Sequence, residues 1–197
     1  PLTALRTNLE LIAESYPHMH LNTTAALQQI NRLEALANDL LDLSRIESKS
    51  TNGNHQSIDM VEMIHHLSVI YASRAEQADL DFLLDVPQQL PTIYGNTYQL
   101  ERMICNLLDN AIKFTPPSGL IHLSLHAQSD HLKLTILDTG IGIPAEDMPN
   151  LFNRFRRGRN TARYPGSGLG LAIVKAIVDL HNGHIHVESC SSQGCLE

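Results

Sequence analysis

The segment 106–114, Asn-Leu-Leu-Asp-Asn-Ala-Ile-Lys-Phe, contains residues whose type and spacing could bind a phosphorylated ligand. On a helix, Asn106, Asn110 and Lys113 share one face, because residues three and four positions apart are neighbours. Amide oxygens are suitable ligands for a hard cation such as Mg²⁺, and an ammonium group suits a phosphate. Apolar residues repeat the same spacing on the opposite face: Ile104, Leu108 and Ala111. The polar face could equally be an ordinary solvated helix surface, so this segment alone leaves both interpretations open.

Two glycine-rich segments further along the chain favour the ligand-binding interpretation. In the first, a predicted strand runs directly into Asp138, Gly140 and Gly142. A carboxylate at a strand end can accept a hydrogen bond from an amine such as adenine N6, and glycine lets the backbone approach a flat ligand. The second segment, 166–170, leads into a predicted helix, whose N-terminus favours a phosphate. Either segment could be a tight turn by itself, and neither matches the Rossmann or Walker pattern.

Two predicted helices precede these motifs. Leu5, Leu9 and Ile12 have the spacing of a coiled-coil seam, and Pro17 interrupts that helix. A second helix is predicted over 24–48, with a leucine seam: Leu33, Leu36, Leu40 and Leu43. Because two such helices bury too little surface alone, the hairpin is predicted to dimerise into a four-helix bundle. The alternative is an ordinary hairpin packed on a second domain.

The rest of the chain alternates between helical and strand patterns. A polar stretch at 47–54 is typical of a linker, so we predict one domain over 1–50 and another over 51–197. Helices are predicted over 61–75, 98–114 and 171–180, and strands over 80–86, 121–125, 132–136 and 184–187. This order indicates an α+β fold: a helical hairpin followed by an α/β sandwich with helices on one face of a sheet.

Composition excludes several classes of function. A hydrophobic fraction of 43% is typical of a globular protein with a core, and a net charge of −7 gives no support for a nucleic-acid partner. No apolar run is long enough to span a bilayer. The three cysteines are widely spaced, without a CxxC pair, which indicates thiols in a reducing compartment: Cys105, Cys190 and Cys195.

Taken in order, the motifs resemble those of the histidine protein kinases of two-component signalling, in the GHKL superfamily. The segment 106–114 resembles the N box, 138–142 the G1 box, 151–157 the F box and 166–174 the G2 box. His181-Asn182-Gly183 stands where the family usually has His-Gly-Gly. The segment 32–48 resembles the second helix of the family's dimerisation domain. The resemblance therefore covers essentially the whole chain.

The resemblance implies an ATP site of the Bergerat type with bound Mg²⁺. In it, Asp138 binds adenine, while Asn110, with Asn106 as a further possible ligand, coordinates the metal. The other implied contacts are Lys113 with the phosphates, Phe114 with the nucleotide, Gly140 and Gly142 with the base, Gly168, Leu169 and Gly170 with the phosphates, and Arg157 with the γ-phosphate. Arg157 lies in an implied lid over 144–165, which Phe152 and Phe155 are expected to anchor by packing.

The implied activity is that of a protein-histidine kinase, which transfers the γ-phosphoryl group of ATP to a histidine and from there to a response-regulator aspartate. ATP-hydrolysing relatives carry a glutamate where Asn106 stands, and that glutamate activates water. An amide cannot accept that proton, so hydrolysis should be slow. The implied partners are a second copy of the chain and a response-regulator receiver domain. The implied location is the cytoplasmic part of a membrane-bound sensor, anchored only through segments outside this sequence.

The sequence departs from the family at its start, because Pro1-Leu2-Thr3 resembles the residues just after the phosphoacceptor histidine. None of the eleven histidines stands in the acceptor context. We therefore interpret the chain as a fragment without a catalytic residue of its own, expected to bind ATP but not to phosphorylate itself. The alternative is a nucleotide-binding dimerisation scaffold without transfer activity.

Two smaller features remain open at this stage. Asn96 stands where the family commonly has aspartate, which puts a local turn contact in doubt. His184 and His186 would share one face of the last predicted strand, near His181. A metal site is conceivable there, although imidazoles on a strand surface are the simpler interpretation.

Overall fold

A computed structural model describes residues 5–8, 11–12, 20–47 and 55–189 of the chain. They belong to two compact units, Pro1–Ser44 and Arg45–Glu197. Most of the predicted linker, together with Pro17 and the last two cysteines, lies outside the described residues. The domain boundary at residue 50 therefore stays a prediction.

The first unit is helical. Residues 5–8 and 11–12 are helical, and helix α1 spans His20–Glu47. The guanidinium of Arg6 lies 3.6 Å from the carboxylate of Glu34, which joins the two helical segments. On α1, Leu43 is buried, whereas Leu33 and Leu40 are 52% and 46% exposed. Half of the predicted leucine seam thus faces away from the packed side of its own unit.

Over residues 55–189, the second unit has two small sheets and three helices. The strands are β1 (His55–Ile58), β2 (Asp81–Asp85), β3 (Ile93–Asn96), β4 (Leu120–Gln128) and β5 (His131–Asp138). The helices are α2 (Met60–Gln77), α3 (Thr97–Phe114) and α4 (Gly170–Leu180), with short 3₁₀ turns at Met148–Asn150 and Arg159–Thr161. β1 pairs antiparallel with β3, while β4 lies between a parallel β2 and an antiparallel β5. Together with the helical unit, this confirms the predicted fold class.

One core holds these elements together and fixes the orientation of α3. Side chains of α2 and α3 pack on the central strand β4. The largest fully buried side chains of these three elements are Ile64, Ile104, Leu108, Ile121, Leu123 and Leu125. Burying such side chains contributes about 1.5–3 kcal/mol each before entropy is counted. Because the apolar face of α3 packs in this core, its opposite, polar face is available for a functional site.

Side-chain caps begin the two core helices. Asp59 accepts hydrogen bonds from the N–H groups of Val61 and Glu62 at the start of α2. At the start of α3, the amide oxygen of Asn96 accepts the N–H of Gln99 at 3.1 Å. Asparagine and aspartate are equally good N-caps. Although Asn96 stands where the family commonly has aspartate, the turn contact at this position is therefore present.

The predicted strand at 184–187 is wrong, because these residues form no ladder with any described strand. Their exposure nevertheless alternates: His184 and His186 are exposed, and Ile185 and Val187 are half-buried. The hydroxyl of Ser189 accepts a hydrogen bond from the N–H of Ile143 at 2.7 Å. Alternating exposure shows only which side chains face the protein. A β-strand also requires hydrogen bonds to the backbone of a neighbouring strand.

Helix α4 ends in a Schellman motif. The N–H of Gly183 donates to the carbonyl of Val178 at 2.9 Å, and the N–H of Asn182 donates to the carbonyl of Asp179 at 3.1 Å. Asn182 has φ +55°, in the left-handed region that favours glycine. Asparagine is the usual second choice there, which explains how this chain tolerates the departure from His-Gly-Gly.

We expect Asn182→Ala to lower the free energy of unfolding by about 1 kcal/mol, because alanine has a Cβ but no local polar group to offset the left-handed backbone. Asn182→Gly should leave the stability unchanged or raise it slightly. Urea unfolding of both variants measures the difference. Equal stability of the alanine and glycine variants would contradict this account of the helix end.

Candidate functional site

Helix α3 brings the predicted polar residues together on one face. Asn106, Asn110 and Lys113 are half-buried, while Ile104 and Leu108 on the opposite side are completely buried. The face is therefore not an ordinary solvated surface. It lies partly covered by another segment of the same unit.

The glycine loop before α4 provides that cover. A Cβ atom on Gly166 would lie 2.7 Å from Nζ of Lys113, and one on Gly170 would lie 3.2 Å from Oδ1 of Asn106. The loop can approach this closely only because these positions lack side chains. Nδ2 of Asn106 is buried and has no hydrogen-bond partner among the described residues. A buried donor without a partner is rare in folded proteins and points to a missing acceptor.

Lys113 sits in an unusual electrostatic setting. Burial lowers the pKa of its ammonium group, the nearby charge of Arg157 lowers it further, and Asp109 opposes both effects. Nζ of Lys113 lies 4.4 Å from the centroid of the Phe114 ring. Lys113 and Arg157 are two cations near each other beside a glycine loop, so an anion bound there would reduce the repulsion between them.

Asp138 stands at the end of β5, beside the end of α3. Its Oδ1 accepts the N–H of Gly140 at 2.9 Å, and a Cβ on Gly140 would lie 2.5 Å from that oxygen and 2.8 Å from the carbonyl oxygen of Phe114. The N–H of Ile141 donates to the same carbonyl at 3.0 Å. The structure thus joins the predicted base-binding loop to the helix that carries the polar face.

The carboxyl of Asp138 is exposed, yet surrounding protein atoms raise its pKa by desolvation, while the hydrogen bond from Gly140 partly offsets this. A raised pKa means that the folded chain binds this proton more tightly than the unfolded chain does. Asp138 therefore contributes stability at acidic pH that is lost as the pH rises through its raised pKa.

We accordingly expect Asp138→Asn, without nucleotide, to gain stability relative to the parent as the pH rises from acidic to neutral. The amide keeps an acceptor for the N–H of Gly140 but cannot ionise. Urea unfolding of both proteins across that pH range provides the measurement. Parallel pH profiles would show that Asp138 is not the titrating group.

The predicted lid, residues 144–165, makes contacts that the sequence did not indicate. The guanidinium of Arg157 donates to the carbonyl oxygens of Thr161 at 2.7 Å and of Tyr164. The rings of Tyr164 and Phe114 meet edge to face, with centroids 5.1 Å apart. Arg157 is therefore engaged within the lid, and its contact with a γ-phosphate stays a prediction. Tyr164 was missed because a single aromatic residue in an irregular segment carries no periodic signal.

Phe155 does not anchor the lid, contrary to the sequence-based expectation. Its side chain is 60% exposed and its backbone has φ +59°, whereas Phe152 is half-buried. The backbone at 155–156 lies against Gly168, where an added Cβ would be 2.8 Å from the carbonyl carbon of Phe155. Here the backbone of the F box, rather than its second aromatic ring, makes the contact.

Two other predicted contact residues, Gly142 and Leu169, form hydrogen bonds through their backbone. Gly142 has φ +66°, and its carbonyl accepts the side-chain amide of Asn160 at 2.9 Å. Leu169 is completely buried, and its N–H donates to the hydroxyl of Ser167 at 3.2 Å. The side chain of Leu169 therefore packs in the protein, so only its backbone is available to a ligand.

The predicted pairing of His184 and His186 near His181 made the described histidines candidate metal ligands. No group of three or more metal-ligating side chains is found in the part of the chain that the structure describes. Nε2 of His181 accepts the N–H of Asn96 at 3.1 Å, and its Nδ1 lies 2.9 Å from the carbonyl oxygen of Ile177. Both ring nitrogens of His181 are thus engaged in structural hydrogen bonds. Within the same described residues, no helix is long and apolar enough to cross a membrane.

Comparison with known families matches both parts of the chain. Residues 95–196 match the family described as histidine kinase-, DNA gyrase B- and HSP90-like ATPase. Residues 1–49 match the His Kinase A (phospho-acceptor) domain. The α/β unit with its polar helix face and glycine loops is thus an ATP-binding domain of the GHKL class.

Individual relatives narrow this class. The signal transduction histidine-protein kinase/phosphatase MprB of Mycobacterium tuberculosis is 36% identical over 204 residues, which cover 98% of this chain and 39% of that protein. A solved structure of mycobacterial sensor histidine kinase MprB matches with a TM-score of 0.56 and 37% identity, covering 66% of this chain and 81% of the other. The Acinetobacter baumannii histidine kinase AdeS matches with a TM-score of 0.63 and 26% identity, covering 89% and 85%.

The chain therefore belongs to the sensor histidine kinases of two-component systems, which confirms the resemblance found in its motifs. It spans about two fifths of the length of the curated relatives it matches, 39% in the first case.

Proposed function

We propose that this chain binds Mg-ATP between α3 and the two glycine loops and presents the γ-phosphoryl group to a histidine acceptor. The observation that carries the proposal is the buried, unpartnered Nδ2 of Asn106 beneath Gly170, with Nζ of Lys113 beneath Gly166. A phosphate oxygen would give Nδ2 of Asn106 the acceptor it lacks among the described residues and would pair with the ammonium group of Lys113.

Each remaining group has a role that its position supports. Asp138 accepts a hydrogen bond from the adenine amine, and Gly140 lets the backbone of this loop lie close to the carbonyl of Phe114, where an added Cβ would be only 2.8 Å away. The amide oxygens of Asn110 and Asn106 suit Mg²⁺, which when bound neutralises phosphate charge. Lys113 adds a cation that is already partly desolvated. These residues bind and orient; none of them forms a covalent bond.

The side chain of Asn106 favours transfer over hydrolysis. An amide cannot take a proton from water, so Asn106 cannot act as a general base. Phosphoryl transfer to a well-placed histidine needs positioning and charge neutralisation rather than a base on this domain. Slow ATP turnover in the absence of an acceptor is the expected consequence.

In this proposal the acceptor is not one of the eleven histidines of this chain, since none of them has the acceptor context. The 197-residue chain is therefore expected not to phosphorylate itself. The receiver domain of a response regulator would take the phosphoryl group next, and the setting would be the cytoplasmic part of a membrane-bound sensor.

An exposed apolar face on α1 supports a homodimer. Leu33, Leu40 and Leu41 are 52%, 46% and 54% exposed within one chain. Leu33 and Leu40 are seven residues apart and so lie on one side of the helix. Pairing with the same face of a second copy would cover them in a four-helix bundle.

Calorimetry with Mg-ATP, followed by transfer of labelled phosphate to a separate hairpin domain that carries the acceptor histidine, tests the proposal. We expect the parent chain to bind Mg-ATP and to label the added domain in an acid-labile form, and we expect Asn110→Ala to do neither. Binding without transfer would favour the dimerisation scaffold. A folded parent that does not bind Mg-ATP would refute both readings, and acid-labile label on this chain alone would refute the missing acceptor.

A further inference from the structure

A polar cluster between α2 and α3 lies outside the nucleotide contacts described above. Its centre is Oδ1 of Asp109, which accepts the hydroxyl of Tyr71 at 2.9 Å and lies 2.7 Å from Nη1 of Arg74. The guanidinium carbon of Arg74 stands 4.6 Å from the centroid of the Tyr71 ring. The Tyr71 hydroxyl also lies 3.3 Å from the carbonyl oxygen of Cys105. One carboxylate oxygen thus fastens α3 to two residues of α2.

This cluster is anchored on the α2 side by burial. Tyr71 is 3% exposed, and burial, followed by the negative charge of Asp109, raises the pKa of its phenol well above the usual range. Tyr71 is therefore a permanent donor, and a buried donor costs free energy unless it has an acceptor. Arg74 holds the same oxygen from the half-exposed side. Asp109 satisfies both groups and has little freedom to move.

The position of Asp109 in α3 gives the cluster its significance. Asp109 directly precedes Asn110 and follows Asn106 by three residues, and each residue turns an α-helix by about 100°. Fixing the direction of Asp109 toward α2 therefore fixes the direction of both amides toward the glycine loops. Core packing holds α3 against β4, and the two polar contacts of Asp109 add a directional constraint on the rotation of the helix about its own axis.

We infer that Asp109, held by Tyr71 and Arg74, is a positioning residue that sets the rotation of α3 and so aims Asn106 and Asn110 at the bound nucleotide. The inference rests on the proposed Mg-ATP site. Asp109 touches neither nucleotide nor metal; it acts through the helix. Its charge also reaches Lys113, where it opposes the effect of Arg157 on the ammonium group.

The test compares three substitutions in the full 197-residue chain. Tyr71→Phe removes one donor, Asp109→Ala removes the shared acceptor, and Asp109→Asn keeps an amide oxygen that can accept both hydrogen bonds. Met103→Ala is the control, because it trims a partly buried residue that packs against the core on the same helix and makes none of the polar contacts of the cluster. Calorimetry measures the affinity for ATP with Mg²⁺ and with EDTA, at a temperature where urea unfolding shows every variant folded.

We expect Tyr71→Phe and Asp109→Ala to weaken Mg-ATP binding by about tenfold, as removal of groups that orient metal ligands commonly does. The loss in EDTA should be smaller, because Asn110 is the proposed metal ligand. Asp109→Asn should restore affinity to within about twofold of the parent, and Met103→Ala should leave it unchanged although it lowers stability.

Three results would overturn the inference. Parent-like affinity in Asp109→Ala would make the cluster purely structural. An equal loss in Met103→Ala would make the effect one of general stability, and failure of Asp109→Asn to restore affinity would assign the effect to charge rather than position. If the parent itself binds no Mg-ATP, the proposed site fails, and this inference fails with it.

Discussion

Asp138→Ala is expected to weaken Mg-ATP binding by about a hundredfold and to abolish any preference for ATP over GTP. A hydrogen bond to a charged group contributes about 1.5–3 kcal/mol, and a hundredfold change corresponds to about 2.7 kcal/mol. In the proposed site the carboxylate of Asp138 accepts the hydrogen bond of the adenine amine, whereas guanine presents a carbonyl at the corresponding edge. Calorimetric titration of parent and variant with both nucleotides measures affinity and preference together.

A matched control for this experiment is Asp130→Ala. Asp130 is a fully exposed carboxylate in the turn at the other end of the same hairpin, so its removal changes the net charge equally. We expect it to leave both affinities unchanged. Loss of affinity in both variants would indicate a general charge effect, and parent-like binding by Asp138→Ala would mean that the base is recognised elsewhere.

Gly168→Ala is expected to cost stability and nucleotide affinity together. Gly168 has φ +73°, and an added Cβ would lie 2.8 Å from the carbonyl oxygen of Arg156 and from the carbonyl carbon of Phe155. The backbone conformation alone costs about 1–3 kcal/mol for a residue other than glycine. Relief of the contact would move either the loop over Asn106 or the backbone of the lid, so we expect Mg-ATP binding to fall by at least about tenfold.

The control for this glycine is Gly183→Ala. Gly183 does not have a left-handed φ, and the nearest atom to an added Cβ is Cγ1 of Val178 at 3.2 Å. It lies at the end of α4 opposite the nucleotide loop, so its substitution should leave Mg-ATP affinity unchanged. Urea unfolding and calorimetry on both variants separate the two effects. An unaffected Gly168→Ala variant would show that the loop and lid accommodate a methyl group.

The sequence was sufficient to predict the elements with strong periodicity. The helices around Ile104 and Ile173 and the hairpin of β4 and β5 were predicted within a few residues, because each buries one face and exposes another. The short strands β1 and β3 were missed. β1 buries only Ile58, and β3 consists of four residues with a glycine, so neither carries an alternating pattern long enough to detect.

The spacing of residues along the sequence could not show which side chains lie close together in the site. Periodicity places Asn106 on a helix face, but it does not state that Gly170 lies above it; the resemblance to a family supplied that expectation, and the structure supplied the distance. The polar cluster around Asp109 was not predicted either. The sequence shows Tyr71 and Arg74 as ordinary helix residues, and it does not show that they contact Asp109 on another helix. Phe155 shows the opposite error, because its residue type suggested burial while its backbone conformation leaves the ring exposed.

The packing of α3 limits which of its residues can change during evolution. Of its 18 residues, five are buried, twelve are partly buried and Tyr98 is exposed. Such a helix has little fully exposed surface on which neutral substitutions can accumulate. A descendant that lost its nucleotide would still retain most of this segment, because packing alone would preserve it. Drift at Asn106, Asn110 and Lys113, against an otherwise unchanged helix, would then mark a member that had kept the fold and abandoned the chemistry.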